Sequence, residues 1–285
     1  MTTQAASLYS NGRTKKEDLA EIEVPLGNAA PNSQPEPGCC RYFKSFYFLE
    51  LIVCIVYAIL STVIPKYIPL NIRPIPYQIT SAGDVILDLE LNHALVPDTI
   101  TYQAVEGIVL GIFIFQVGLG FFLKKDSYEI HKIFCSYAVA LGSTLLITEI
   151  MKRYVGRLRP NFYPYCGFDS TTLECTNTAT KQDCRMSFPS GHSSTMFCTC
   201  TLFAAYIWNY VIVKYTDPMR RRPWLMLGLS PLLLAYFIAA SRIHDNYHFV
   251  GDVVGGSVIG TANAIIFSFF WFPSSSLAYS SVSNL

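Results

Sequence analysis

Six long apolar stretches, each bounded by polar segments, organise this chain of 285 residues. They run over 46–64, 104–123, 133–150, 193–213, 224–240 and 253–272. A helix needs about 20 apolar residues to cross about 30 Å of hydrocarbon, so each stretch reads as one transmembrane span. The third and fifth fall slightly short, and the motif residues beside them are expected to complete them at the interface. The pattern predicts an all-α fold, an integral membrane bundle of six transmembrane helices. Glu50, Glu106 and Glu149 lie within or near the ends of these runs and are expected near headgroups or facing the bundle.

Composition supports that class. The chain is 51% hydrophobic and only 14% charged, with a mean hydropathy of +0.32, too apolar for an ordinary soluble domain. A formal net charge of +1 argues against a nucleic-acid partner, since such domains concentrate positive charge on one face. Residues 1–45, rich in Ser, Asn, Pro and charge, read as a disordered cytoplasmic tail, 46–272 as the bundle, and 273–285 as a short cytoplasmic tail. No cleavable leader is expected, so the first span serves as the targeting signal.

Counting Lys and Arg in the connections orients the bundle. A cytoplasmic N-terminus puts twelve of the 21 cations inside, among them Arg220, Arg221 and Arg222 in the compact "KYTDPMRRRP" turn, and nine outside. The outer cations are bunched rather than scattered. "KRYVGRLRP" carries Lys152 and Arg159 at the end of the third span, and "PSGH" opens the fourth. "SRIHDNYHFVGD" joins the fifth to the sixth. All three fall at one, extracytoplasmic, face.

That set matches the needs of phosphoryl transfer. The transition state spreads negative charge over its equatorial oxygens, and catalysis is largely positioning and electrostatics. Lys152, Arg159 and Arg242 supply positive charge, with the Ser190 hydroxyl and the Gly191 N–H as further donors. His248 and Asp252 stand one helical turn apart, so the carboxylate is expected to orient an attacking imidazole. His192, at the start of the fourth helix, is the expected general acid. No carboxylate cluster suited to magnesium accompanies them, so no metal or other cofactor is expected.

At these residues the chain resembles the type 2 phosphatidic acid phosphatases, or lipid phosphate phosphatases. Their signature of Lys-x6-Arg-Pro, Pro-Ser-Gly-His and Ser-Arg-x5-His-x3-Asp is present without a departure. The resemblance covers roughly 45–272. It implies a metal-independent integral membrane hydrolase with a phosphohistidine intermediate, acting on phosphatidate, lysophosphatidate, sphingosine or ceramide 1-phosphate and diacylglycerol pyrophosphate. By the same resemblance His248 is the nucleophile, Asp252 its orienting partner and His192 the acid. Lys152, Arg159, Ser190, Gly191 and Arg242 form the phosphate cradle. The alternative is an enzymatically silent lipid-binding or adhesion relative, although such chains lose the histidines or cations. The partners expected are the membrane and a lipid phosphate, in the plasma membrane or an endomembrane; a homo-oligomer is compatible with the pattern.

Several residues carry plainer expectations. Arg153, Arg157 and Lys181 are expected to meet headgroups. Arg73, in the Pro-rich "NIRPIPYQIT", is expected to be structural, His244 to be a loop residue near the site, and His93 and His131 to be exposed. Cys54, Cys135, Cys198 and Cys200 read as small packing residues. Of Cys166, Cys175 and Cys184, which share one outer loop, an oxidising compartment would pair two and leave one over. Cys39 and Cys40 precede the first span, where palmitoylation and an unmodified pair are equally open. No Asn-x-Ser/Thr acceptor occurs in the chain.

Overall fold

The computed structural model describes residues 46–272, apart from Thr216. The two tails and Cys39 and Cys40 lie outside the described residues. Among the described residues there are six long helices: α1 (Phe46–Val63), α2 (Tyr102–Lys124), α3 (Ser127–Val155), α4 (Gly191–Lys214), α5 (Pro218–His244) and α6 (Val250–Trp271). All six are long and apolar enough to cross a membrane. The third and fifth, expected to be short, are the longest, at 29 and 27 residues. Their charged ends continue the helix: Lys152 and Arg153 occupy the last turn of α3, where cations complement the negative end of the helix dipole. In α5, Asp217 caps the first turn by accepting from the Met219 N–H, and Pro218 opens the helix.

The central helix is α4, with 67% of its apolar window buried, against 11% for the peripheral α1. Its position depends on how closely α6 approaches. A Cβ on Gly256 would lie 2.4 Å from the Ser190 carbonyl oxygen, and one on Gly260 would lie 2.1 Å from that of Ser194. This pair of glycines four residues apart lets two membrane helices come into backbone contact. The close approach brings the start of α4 beside the start of α6, where the Ser190 N–H donates to the Asp252 carbonyl at 2.9 Å. Buried side chains such as Tyr137, Phe203 and Tyr206 fill one half of the bundle, and Val105, Met196 and Ile238 the other.

The loops at the motif end are structured. A hairpin of β1 (Tyr77–Ile79) and β2 (Val85–Leu87) follows α1, and a smaller one of β3 (Phe168–Asp169) and β4 (Glu174–Cys175) follows α3. Cys166 and Cys175 form a disulfide, and Cys184 is a buried free thiol. Leu158, Phe162, Tyr163 and these cysteines make a small apolar core under the loops, so the pairing left open by spacing is settled by which strands meet. Arg73 is structural, as expected: its Nε donates to the Val155 carbonyl at 2.8 Å. Gly156 ends α3 with φ +59, and a Cβ there would meet the Asn71 carbonyl, so the chain can leave the helix this way only as glycine.

His131 departs from expectation. It is 6% exposed rather than solvated, because α1 covers it and Glu50 reaches its Nε2 at 2.9 Å. His93 is exposed, as expected.

Candidate active site

The three signature segments converge on one cavity of about 230 Å³, lined by Lys152, Arg159, Gly191, His192, Arg242 and His248. Asp98, Tyr102, Tyr165, Asp183 and Tyr247 complete its wall. The last turn of α3 supplies Lys152, the first turn of α4 supplies Gly191 and His192, and the last turn of α5 supplies Arg242. Arg159 and His248 come from the turns that follow α3 and α5.

Each cation is held by a counter-charge. Arg242, with a side chain 1% exposed, reaches Asp98 and Asp245 at 2.5 Å each. Arg159 pairs with Asp183 at 2.8 Å and stacks 5.5 Å from the Tyr247 ring. Lys152 Nζ lies 2.5 Å from Glu149. A Cβ on Gly191 would lie 3.1 Å from that ammonium, so glycine keeps the wall open beside Lys152. Burial works to raise the Asp245 carboxyl, but hydrogen bonds from His244 and Thr99 and the Arg242 charge outweigh it and hold it below its ordinary value. His244, 78% exposed, touches Asp245 and does not line the cavity.

His248 is 4% exposed, and its Nδ1 lies 2.7 Å from the Ser187 carbonyl. A carbonyl can only accept, so Nδ1 carries the hydrogen and Nε2 carries the lone pair. Burial, followed by the charges of Arg159 and Lys152, pushes the imidazole well below its ordinary pKa and keeps it neutral. His192 Nε2 lies 3.2 Å from the Ile100 carbonyl, and its ring meets Tyr102 edge to face.

Asp252 holds this arrangement differently from the one-turn contact expected from spacing. Its Oδ2 is 3.9 Å from His248 Nδ1, beyond hydrogen-bond reach. It instead accepts from the Ser187 hydroxyl at 2.6 Å and from the Phe249 N–H at 2.9 Å. Asp252 thus grips both chain segments flanking the imidazole, and the Ser187 carbonyl makes the direct contact. Arg157, expected at headgroups, donates to Asp252 Oδ1 at 2.7 Å and lies over the Phe249 ring. A fully buried carboxylate with no histidine bond draws a cation to itself, which is why this arginine turns inward. Ser190 is the N-cap of α4, its Oγ accepting from Ser193, and it stands behind the cavity wall rather than in it.

Sequence reasoning did not find Asp98, Tyr102, Tyr165, Asp183, Ser187 or Tyr247. Tyr247 lay inside a quoted motif, and Ser187 two residues before another. Asp98 and Asp183 carried no spacing signal, because loops deliver them.

Residues 133–275, about half of the chain, match the PAP2 superfamily. The chain belongs to that superfamily. It is 28% identical over 239 residues to a PA-phosphatase related-family protein of Dictyostelium discoideum, covering 83% of this chain and 84% of that one. It is 28% identical over 207 residues to lipid phosphate phosphatase 2 of Arabidopsis thaliana, covering 70% of each. With phospholipid phosphatase 1 of Rattus norvegicus it shares 29% over 248 residues, 77% of this chain and 83% of the relative. No solved structure matches it. It is therefore a membrane-spanning relative of the lipid phosphate phosphatases.

Proposed function

We propose that the chain hydrolyses lipid phosphate monoesters without a metal, through a phosphohistidine on His248. The observation that carries this reading is a neutral, buried imidazole in the wall of a cavity that also holds Lys152, Arg159 and Arg242. The Nε2 lone pair attacks phosphorus, and the bond from phosphorus to the lipid oxygen breaks. His192 gives that oxygen a proton. Water then attacks the phosphohistidine, returns a proton to His192 and releases inorganic phosphate and free His248. With Nε2–H directed at the Ile100 carbonyl, Nδ1 is the nitrogen of His192 that takes up and gives the proton. The three cations face the equatorial oxygens and need no metal to do so. Asp98 and Asp183 are already engaged by Arg242 and Arg159.

A lipid substrate is favoured by what adjoins the cavity. Tyr102 lines it and also lines an apolar groove of about 450 Å³ between α1, α2 and α3. A headgroup in the first and a chain in the second suit phosphatidate, lysophosphatidate, sphingosine 1-phosphate or diacylglycerol pyrophosphate. The cation count supports a cavity at the extracellular or lumenal face, with both termini cytoplasmic.

Turnover of phosphatidate against glucose 6-phosphate, in detergent with excess chelator, tests the reading. Phosphatidate should be hydrolysed and the sugar ester should not. Loss of activity with EDTA and its return with magnesium would overturn the mechanism. Lipid binding without turnover would identify a silent relative. His248→Ala should abolish transfer to every substrate. His192→Ala should recover in part on an aryl phosphate with an acidic phenol, because general-acid help of about 10²–10⁴-fold matters only for a basic leaving oxygen.

A further inference from the structure

The opposite end of the bundle holds a cluster of donors that the phosphatase reading does not use. His131 and Cys135 stand one turn apart on α3, and Glu50 and Cys54 one turn apart on α1. Glu50 Oε2 lies 2.9 Å from His131 Nε2, and Cys135 Sγ lies 3.6 Å from the same nitrogen. The donor atoms of Glu50, His131 and Cys135 all lie within 4.8 Å of one another. Cys54 lies outside this group of three, and its thiol, next to that of Cys135, would have to turn inward to complete the set. Twenty-one residues of α3 separate His131 from Lys152, which is about 32 Å along a helix.

We propose that Glu50, Cys54, His131 and Cys135 bind one soft divalent cation, with zinc the ion whose preferences they match. Two thiolates, an imidazole and a carboxylate are a tetrahedral donor set for zinc. In such a site, bonds of about 2.0–2.3 Å set donors about 3.3–3.8 Å apart, and the 3.6 Å between Cys135 and His131 already has that spacing. On binding, the two thiol protons leave to solvent and the Glu50 carboxylate turns from the imidazole to the ion. Cys54, Cys135 and His131 are buried, at 3%, 0% and 6% exposure, while the Glu50 side chain is 37% exposed and provides the path of entry. The second Glu50 oxygen accepts from the Trp271 indole at 2.8 Å, so the carboxylate is oriented from outside the ligand set. The ion would clamp α1, the least buried helix, to α3.

The test uses the full-length protein in detergent, reduced and stripped with a chelator, then titrated with cobalt(II). One ion per chain should bind with the thiolate-to-cobalt charge-transfer band and intense visible bands of a tetrahedral site, and zinc should displace it. Cys54→Ser with Cys135→Ser should abolish the charge-transfer band. X-ray absorption of the zinc-loaded wild-type protein should show two sulfur neighbours at about 2.3 Å and two nitrogen or oxygen neighbours at about 2.0–2.2 Å. That measurement stands whether or not the variant folds. No bound cobalt, an unchanged band in the double variant, or a zinc shell without sulfur would each overturn the proposal. None of these readouts depends on phosphatase turnover, so the two readings succeed or fail separately.

Discussion

Asp252 carries more of the site than its distance from His248 suggests. Its two oxygens accept from Ser187, Phe249 and Arg157, and the Ser187 carbonyl then fixes the imidazole. A hydrogen bond to a charged group contributes about 1.5–3 kcal/mol. Ser187→Ala should therefore lower kcat by roughly tenfold or more while KM changes little, because on the proposed mechanism the lost hydroxyl bond to Asp252 steadies the segment that holds the attacking imidazole and does not touch the lipid. Steady-state kinetics on phosphatidate reads the split, and an equal rise in KM would show that Ser187 acts on binding. Protonation of His248 sets a second expectation. Its folded-state pKa is depressed, whereas the unfolded chain takes up that proton near pH 6.5. Stability is therefore undiminished above pH 6.5 and is lost as the pH falls below it, while the folded chain keeps this imidazole neutral. The acid limb of kcat/KM belonging to His248 should lie below pH 6.5. A limb above that value would show an imidazole that is charged at rest.

The pairing of α4 with α6 sets the site at the scale of elements. Gly260→Ala would put a methyl group 2.1 Å from a backbone oxygen that cannot turn aside, so the helices must separate. Both the thermal midpoint in detergent and turnover should fall. Gly118→Ala, on a face of α2 with nothing within 4 Å, should leave both unchanged. The six spans were legible because length and hydropathy report membrane crossing directly. Their ends were not: Lys152 and Arg242 end an apolar run without ending the helix. The motifs likewise foretold which segments converge, but a four-residue spacing could not tell a direct bond from one relayed through Ser187. Nor could it reveal that Asp98 and Asp183 arrive from loops as counter-charges. His131 read as exposed because nothing local announced that Glu50 on another helix covers it.

For the molecule as a whole, the cation count and the motif positions together favour the proposed orientation, with the motif end extracytoplasmic. The disulfide between Cys166 and Cys175 lies at the motif end and suits an oxidising compartment. In sealed vesicles of known sidedness, protease should cut within 214–223, where α4 passes into α5, from the cytosolic face while hydrolysis proceeds at the other. Hydrolysis of an impermeant substrate supplied only to the cytosolic face would reverse the orientation. Tyr102, in the wall shared by the cation-lined cavity and the apolar groove, carries a kinetic consequence. That groove includes Leu110, 56% exposed on the outer surface of α2, so it opens sideways into hydrocarbon. The enzyme would then draw substrate by two-dimensional diffusion from the leaflet in which it sits. Its rate should follow the mole fraction of phosphatidate in mixed micelles. Diluting the surface with neutral detergent at constant bulk lipid should slow turnover, and adding more micelles of unchanged composition should not.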